Sequence, residues 1–224
     1  MQIYFLPITD PIMNDRDLEL LHFASPVRRE RIAKYRSPLD QKLSLYAECI
    51  TRIGLSHATR SPAAALEFQY VERHKPTAVT TPTYDFSYSH THSAILCAIT
   101  GKGKIGADIE EIKKAPLNVM RRVFHSKEIE YVQNSIPTLI DRRFFEIWTR
   151  KEAYTKYLGT GLATELTSIN TLSSDLLSGF YTWQQNQYIC SIYSDDLLFP
   201  KPLVLTEEEV WEAICHSQSL PSQP

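Results

Sequence analysis

The spacing of apolar residues predicts helices and strands in alternation along the chain. Helical periodicity runs through residues 26–55, where Ser37-Pro38 divides the segment in two. Further helices are predicted over residues 118–134, 142–158 (ending at Gly159) and 207–215. Short apolar or alternating runs predict strands near the N-terminus and at residues 66–71, 93–100, 105–109, 168–172, 179–184 and 188–193.

The order of these elements predicts an α+β fold made of two similar lobes. Each half of the chain contains helical segments and two or three strands, and most strands follow one another closely enough to form hairpins. Residues 101–104, Gly-Lys-Gly-Lys, are predicted to form a hairpin turn between two strands. We therefore expect a pseudo-dimer with one lobe at residues 1–103 and a second at residues 104–224.

Composition is that of an ordinary soluble globular protein. Of the 224 residues 43% are hydrophobic and 22% charged, and the formal net charge of −2 argues against general binding to nucleic acid or to a membrane surface. The longest apolar run, residues 94–99, is too short to span a bilayer. The four cysteines lie far apart without a CxxC pair, which favours free thiols. These features predict a cytoplasmic monomer.

Two acidic residues in the segment Gly106-Ala-Asp-Ile-Glu110 are the first candidates for chemistry. In a strand, Asp108 and Glu110 share one face while the apolar residues share the other. Carboxylates at this spacing can converge on Mg²⁺, which usually takes one or two carboxylates beside substrate phosphates. The alternative is a solvated strand face, and this motif alone favours that alternative.

A second candidate lies on the predicted helix over residues 142–158. Counting in fours places Phe144, Trp148, Glu152 and Lys156 on one helix face. A carboxylate held between an aromatic ring and a cation is suited to metal binding or to general-base work. A surface Glu–Lys pair one turn apart is the alternative.

Basic residues open the first long helix, in Arg28-Arg-Glu-Arg31, where they suit either phosphate binding or a solvated helix face. The chain contains no P-loop, GxGxxG, GxSxG or HExxH motif, so nucleotide-fold and serine-hydrolase classes lack support.

Taken together, the motifs resemble the Sfp-type 4′-phosphopantetheinyl transferases. The resemblance rests on GADIE at residues 106–110 followed by WTRKEAYTKYLGTGL at residues 148–162. Upstream, SPVRRER at residues 25–31, HKP at 74–76 and YSHTH at 88–92 stand where the family has its basic helix, its Lys-Pro pair and its N-x-S-H-S segment. Tyr88 departs from the family, which usually has an aliphatic residue there.

The resemblance implies a role for each matching position. Asp108, Glu110 and Glu152 resemble the family's Mg²⁺-binding acids. Glu152 also resembles its general base, and Lys156 the lysine one turn later that contacts coenzyme A phosphate. The positions that resemble those holding the 3′-phosphate, adenine and neighbouring parts of coenzyme A are Arg28, Arg31, Ser44, Lys75, Ser89 and His90.

The implied reaction transfers 4′-phosphopantetheine from coenzyme A to a serine of an acyl or peptidyl carrier protein and releases 3′,5′-ADP, which is holo-carrier-protein synthesis. Coenzyme A is expected between the lobes. Arginines that could attract the acidic carrier are Arg121, Arg122, Arg142 and Arg143. Two other classes stay open from the residues alone: a different Mg²⁺-dependent phosphoryl-transfer enzyme or phosphodiester hydrolase, and a non-catalytic α+β binding module.

Overall fold

The computed structural model describes residues 1–71, 75–159 and 165–215. Its strands are β1 (Gln2–Pro7), β2 (Phe68–Gln69), β3 (Thr77–Ala78), β4 (Asp85–Thr91), β5 (Ala94–Thr100), β6 (Ile105–Glu111), β7 (Phe180–Gln185), β8 (Tyr188–Ser194) and β9 (Leu203–Val204). Its α-helices are α1 (Asp15–Leu20), α2 (Pro26–Lys34), α3 (Pro38–Thr59), α4 (Met120–Val123), α5 (Ser126–Gln133), α6 (Ile140–Leu158), α7 (Ser174–Leu177) and α8 (Glu207–Cys215).

Two units of the chain share one topology. In the first, β1 leads through helices to the hairpin β4–β5, and β1 pairs antiparallel with β5. In the second, β6 leads through helices to the hairpin β7–β8, and β6 pairs antiparallel with β8. One long helix, α3 or α6, packs on each sheet. The predicted α+β pseudo-dimer with two lobes of similar topology is therefore confirmed.

The two sheets bury a common core on the faces turned away from their helices. Along β1, Tyr4 and Leu6 pack on the α3 side, whereas Ile3 and Phe5 join the core between the sheets. Ala107 and Ile109 of β6 reach the same core from the other unit. This strict alternation leaves the other face of β6 turned towards α6, which is the face that carries the predicted acids.

The last elements of the chain return to the first sheet. Strand β9 pairs parallel with β1, and α8 packs against α1 and α3. The buried Lys42 of α3 binds Glu207 at 2.6 Å and Asp17 at 3.1 Å, which fixes α8 against the first unit. Residues 203–215 therefore pack on the first unit although they follow residue 103 in the chain. The division of the chain into two lobes at residue 103 stays a prediction.

Three local predictions are wrong. The Gly101–Lys104 segment carries the chain from β5 in one sheet to β6 in the other, so it does not close a hairpin. Residues 168–172 form the end of a 3₁₀ helix, two irregular residues and a turn instead of a strand, because the buried Lys151 ammonium binds the carbonyl oxygens of Leu166 and Ile169 at 2.7 and 2.6 Å. The helix predicted over residues 118–134 is divided into α4 and α5 at Phe124.

Helices α2, α6 and α8 agree with prediction, and α6 ends at Gly159 in the left-handed conformation, with φ of 72°. All four cysteines are free. Within the described ranges no helix has the length and apolar character needed to cross a membrane.

Candidate active site

The site is built on the close packing of α6 against β6 at Gly106. A Cβ atom at this position would lie 1.9 Å from the carbonyl oxygen of Ala153 and 2.5 Å from the backbone nitrogen of Tyr157. Only glycine allows the helix so near to the strand. The contact places the predicted acid and lysine of α6 over the acidic face of β6.

Lys156, Asp108 and Ser89 form a hydrogen-bonded triangle that joins α6, β6 and β4. The Lys156 ammonium lies 2.7 Å from Asp108 Oδ1 and 2.9 Å from Ser89 Oγ, and Ser89 Oγ donates to Asp108 Oδ1 at 2.7 Å. Asp108 is buried, and its second oxygen, Oδ2, has no hydrogen-bond partner among the described residues. An unpartnered buried carboxylate oxygen is costly unless a ligand satisfies it.

Glu110 lies on the same face as Asp108. Burial, with the Asp108 carboxylate as a second cause, raises its pKa to about 7, although Lys113, Lys156 and a hydrogen bond from Trp148 oppose the shift. A cation placed between the two acids would relieve their repulsion.

Glu152 faces this pair from α6. Burial raises the pKa of its carboxyl, the Asp108 charge raises it further, and Lys156 one turn away lowers it. A carboxylate whose pKa is raised towards neutral pH accepts a proton more readily at that pH than an exposed carboxylate with an ordinary pKa.

These three carboxylates are donors of the type that Mg²⁺ prefers. Across the described part of the chain no three His, Cys, Asp or Glu side chains stand ready around one metal position. Mg²⁺ does not require such a cage, because it is usually bound by one or two carboxylates together with water and substrate phosphates. The unpartnered Oδ2 of Asp108 and the acid pair beside it therefore fit this ion.

A cavity of about 200 Å³ opens beside the triangle. Lys75 and Lys156 stand on its wall, together with Tyr88 of β4 and the last turn of α6. The Lys75 ammonium binds Asp85 Oδ2 at 2.6 Å and the Ile105 carbonyl oxygen at 2.9 Å. Burial lowers the pKa of Lys75, and the Asp85 charge opposes this effect.

Arg28 is held inside the first unit. Its Nε lies 3.3 Å from Glu48 Oε2, its Nη1 donates to Ser44 Oγ at 3.2 Å, and its Nη2 donates to the Tyr88 hydroxyl. Two predicted coenzyme-binding residues, Arg28 and Ser44, are therefore in direct contact, but both are buried.

Arg31 is exposed, and its Nε donates to the Tyr35 hydroxyl at 3.1 Å. His90 follows Ser89 on β4, and its pKa is lowered by burial and then by the positive charges of Lys156 and Arg31. The structure thus brings Arg31, His90 and Lys156 within electrostatic reach of one another. His74 and residues 160–162, which belong to the predicted motifs, lie outside the described residues.

Sequence reasoning missed the side chains that hold the predicted ones in place. Asp85 fixes Lys75, Glu48 fixes Arg28, and Ser87 Oγ accepts from the Ala107 backbone nitrogen at 3.0 Å, which links β4 to β6. The alternation of polar residues at positions 85, 87 and 89 was an available signal, because it marks one polar face of β4.

Comparison with known proteins identifies the class to which this fold and site belong. Residues 104–215, half of the chain, match the family model of the 4′-phosphopantetheinyl transferase superfamily. The chain belongs to this superfamily. The resemblance inferred from the sequence motifs is confirmed, and with it the predicted class of activity, phosphopantetheinyl transfer.

Particular relatives extend the similarity beyond the matched segment. The chain is 26% identical over 175 residues to a 4′-phosphopantetheinyl transferase of Bacillus subtilis, covering 78% of each chain. It is 27% identical over 163 residues to one of Aneurinibacillus migulanus, covering 70% of this chain and 67% of the relative.

Among solved structures, holo-[acyl-carrier-protein] synthase of Thermotoga maritima matches 40% of this chain and 60% of its own, with 19% identity and a TM-score of 0.32. This likeness is too low to bear on the fold, which rests on the topology above.

Proposed function

We propose that this chain transfers 4′-phosphopantetheine from coenzyme A to the serine of an acyl or peptidyl carrier protein, with Mg²⁺ held by Asp108, Glu110 and Glu152. The observation that carries the residue assignment is the buried Asp108 carboxylate, which has one oxygen bound to Lys156 and the other without a partner in the described part of the chain. A cation would satisfy the unpartnered oxygen, and a substrate phosphate would bind the same cation and the Lys156 ammonium.

Coenzyme A lies, in this proposal, in the cleft where β4 of one unit meets β6 and α6 of the other. Lys75 and Lys156 border the cavity there, and Ser89 contributes its hydroxyl at the same seam. Arg28, Arg31, Ser44 and His90 approach from the first unit and are assigned to the phosphate and adenine end of the coenzyme.

The reaction replaces one bond to phosphorus with another. The carrier serine oxygen attacks the β-phosphate, an O–P bond forms, the bond to the leaving 3′,5′-ADP breaks, and Glu152 accepts the serine proton. Lys156 places a positive charge next to the developing negative charge. Mg²⁺, when bound, supplies further neutralisation of the pyrophosphate oxygens.

Incubating the full chain with apo carrier protein, coenzyme A and Mg²⁺, and then weighing the carrier by mass spectrometry, tests the proposal. We expect a carrier heavier by one phosphopantetheine and no transfer in the presence of a chelator. Cleavage of coenzyme A without carrier modification would instead identify a hydrolase. The absence of any reaction would indicate a non-catalytic binding module.

The carrier is expected to dock near α4. Arg121 and Arg122 are exposed there and form no ion pair with any described residue. Arg142 and Arg143 bind Glu146 at 3.0 and 2.7 Å, so they are less available. Action as a monomer in the cytoplasm is part of the same proposal.

A further inference from the structure

The outer strands of the two sheets, β4 and β6, lie side by side at the seam between the units but belong to different sheets. Polar side chains of β4 take the place of a strand partner for β6. Asp85 Oδ2 accepts from the Ile105 backbone nitrogen at 2.8 Å, and Ser87 Oγ accepts from that of Ala107 at 3.0 Å. Such partners are needed because the outward N–H groups of an edge strand are otherwise left without acceptors.

Asp85 differs from Ser87 because it also binds a cation. The same Oδ2 atom lies 2.6 Å from the Lys75 ammonium, which donates in turn to the Ile105 carbonyl oxygen at 2.9 Å. Asp85 and Lys75 therefore hold both polar backbone groups of one residue of β6. Ile105 stands three positions before Asp108 on the same strand, so this pair from the first unit fixes the strand that carries the acid of the second.

Lys75 also lines the 200 Å³ cavity, as Lys156 does. Within the described ranges its ammonium uses two of its three N–H donors, on Asp85 and on Ile105, so one is left for an anionic group in the cavity. Both side chains of the Lys75–Asp85 pair are only 20% exposed. In so sheltered a pair, removing one partner leaves the other charge without compensation.

The charge on Lys75 depends on Asp85. Burial is the largest influence and lowers the pKa of Lys75, the Asp85 carboxylate raises it, and the neighbouring Lys104 ammonium lowers it. Lys156 brings a further positive charge to the cavity wall, and is itself paired with Asp108 at 2.7 Å. Among the described side chains Asp85 is the carboxylate that pairs with Lys75, so without it the ammonium would lose its proton at a lower pH.

We propose, resting on the proposed function, that Asp85 is a positioning residue for the transfer reaction, because it holds the Lys75 ammonium on the wall of the coenzyme cavity and ties it to β6. Lys75 is then charged and oriented before coenzyme A arrives, and its position relative to Asp108 is fixed through a single strand. Asp85 acts on the coenzyme only through Lys75.

Asp85→Asn tests this assignment in the full chain, with carrier-modification rates measured between about pH 6.5 and pH 9.5. The amide keeps the shape and an acceptor for the Ile105 N–H group but loses the charge. We expect the KM for coenzyme A to begin its alkaline rise about one pH unit lower than in the unmodified chain, and to be roughly tenfold higher near pH 9. The kcat should change by less than about twofold, because Asp85 does not touch the reacting atoms.

Two further variants show whether Asp85 acts through Lys75. In the Lys75→Met background, Asp85→Asn should leave the KM for coenzyme A unchanged, since the lysine that it positions is gone. Lys75→Arg stays charged over the whole pH range and should abolish the alkaline rise, a measurement that does not depend on the folding of Asp85→Asn. A rise that persists in Lys75→Arg, an unchanged KM profile in Asp85→Asn, or an Asp85→Asn effect of equal size in the Lys75→Met background would overturn the assignment.

Ser87→Ala is the matched control. It removes a hydrogen bond to β6 of the same kind, but Ser87 lies outside the Lys75 ion pair, so the pH at which the KM begins to rise should not move. If Ser87→Ala moved it as far as Asp85→Asn does, the effect would belong to the packing of β4 on β6 and the assignment would be wrong. Failure of the unmodified chain to modify a carrier at any pH would instead reject the proposed function.

Discussion

Glu152 combines, in a single side chain, the properties expected of a general base. It lies one helical turn before Lys156, it faces Asp108 across the α6–β6 contact, and burial raises the pKa of its carboxyl. The same charge environment suits a ligand for Mg²⁺. Its neighbour Lys151 differs, because it is buried and binds Glu128 at 2.8 Å, which is a structural role.

Replacing Glu152 by glutamine should therefore lower activity strongly and leave the stability of the fold almost unchanged. The amide keeps the shape but loses the charge and basicity, so we expect turnover to fall by at least ~10²-fold. The free energy of unfolding should change by less than about 1 kcal/mol, because the Glu152 carboxylate forms no ion pair with another described residue. Carrier-modification rates and urea unfolding measure the two effects. Glu130→Gln, an exposed position on α5, is the control, and a near-normal rate in Glu152→Gln would show that the base lies elsewhere.

Glu110 makes the stability of the metal-free chain depend on pH. Burial raises the pKa of Glu110 from an ordinary 4.5 to about 7 in the folded chain, so the folded state binds the proton more tightly than the unfolded state. This contribution is fully present below pH 4.5 and is lost as the pH rises through 7. At about 1.4 kcal/mol per pKa unit the loss is on the order of 3–4 kcal/mol.

Urea unfolding with a chelator present, between pH 4.5 and pH 8, measures this effect. We expect the Glu110→Gln variant to lack the decline and to exceed the unmodified chain in stability at pH 8. Added Mg²⁺ should stabilise the unmodified chain more at pH 8 than at pH 5, because a protonated carboxyl is a poor ligand. Identical pH profiles for the two chains would exclude Glu110 as the titrating group.

Part of the candidate site follows directly from strand alternation. Ile105, Ala107 and Ile109 enter the core between the sheets, so Asp108 and Glu110 must face the other way, towards α6. The triangle of Lys156, Asp108 and Ser89 does not follow from any local pattern, because it depends on how β4 of one unit meets β6 of the other. The inward orientation of Arg28 was hidden as well, because its partners Ser44, Glu48 and Tyr88 lie on other elements of the first unit.

Elements with strong local signals were predicted well. Serine caps followed by proline start α2 and α3, and Gly159 ends α6. The Gly101–Lys104 turn was misassigned because a glycine-rich turn has the same sequence signal whether the chain pairs with the preceding strand or crosses to another sheet. Strand pairing is a long-range property, and the periodicity of a single segment does not contain it.

The close packing of α6 on β6 allows a prediction about the stability of the fold. Gly106→Ala should destabilise the fold by several kcal/mol, on the scale of overpacking a core, because the added methyl meets backbone atoms that cannot rotate away. Activity should fall with it, since the helix carrying Glu152 is displaced from β6. Gly159→Ala is the control: no atom of the described residues lies within 4 Å of its Cβ position, and its positive φ should cost only about 1 kcal/mol. Equal unfolding free energies for the two variants, measured in urea, would contradict this account of the packing.

For the molecule as a whole, charge is distributed unevenly although the net value is only −2. The C-terminal helix α8 begins with three glutamates, whereas α4 in the second unit ends with Arg121 and Arg122. Val119 and Val123 beside them are only partly buried, so the surface near α4 combines positive charge with apolar contact area. An acidic carrier protein is attracted by such a local patch even when the whole chain is slightly acidic.

Reversing both charges, Arg121→Glu with Arg122→Glu, should therefore slow association with the carrier. We expect the KM for carrier protein to rise by about tenfold at low ionic strength and by less at 0.5 M salt, where the Debye length is about 4–5 Å. The KM for coenzyme A should stay unchanged, because the coenzyme is assigned to the cleft between the units. The double reversal Lys102→Glu with Lys201→Glu changes the net charge equally at two exposed positions away from α4 and serves as the control. If both double variants raised the carrier KM to the same extent, net charge would account for the effect and docking at α4 would be rejected.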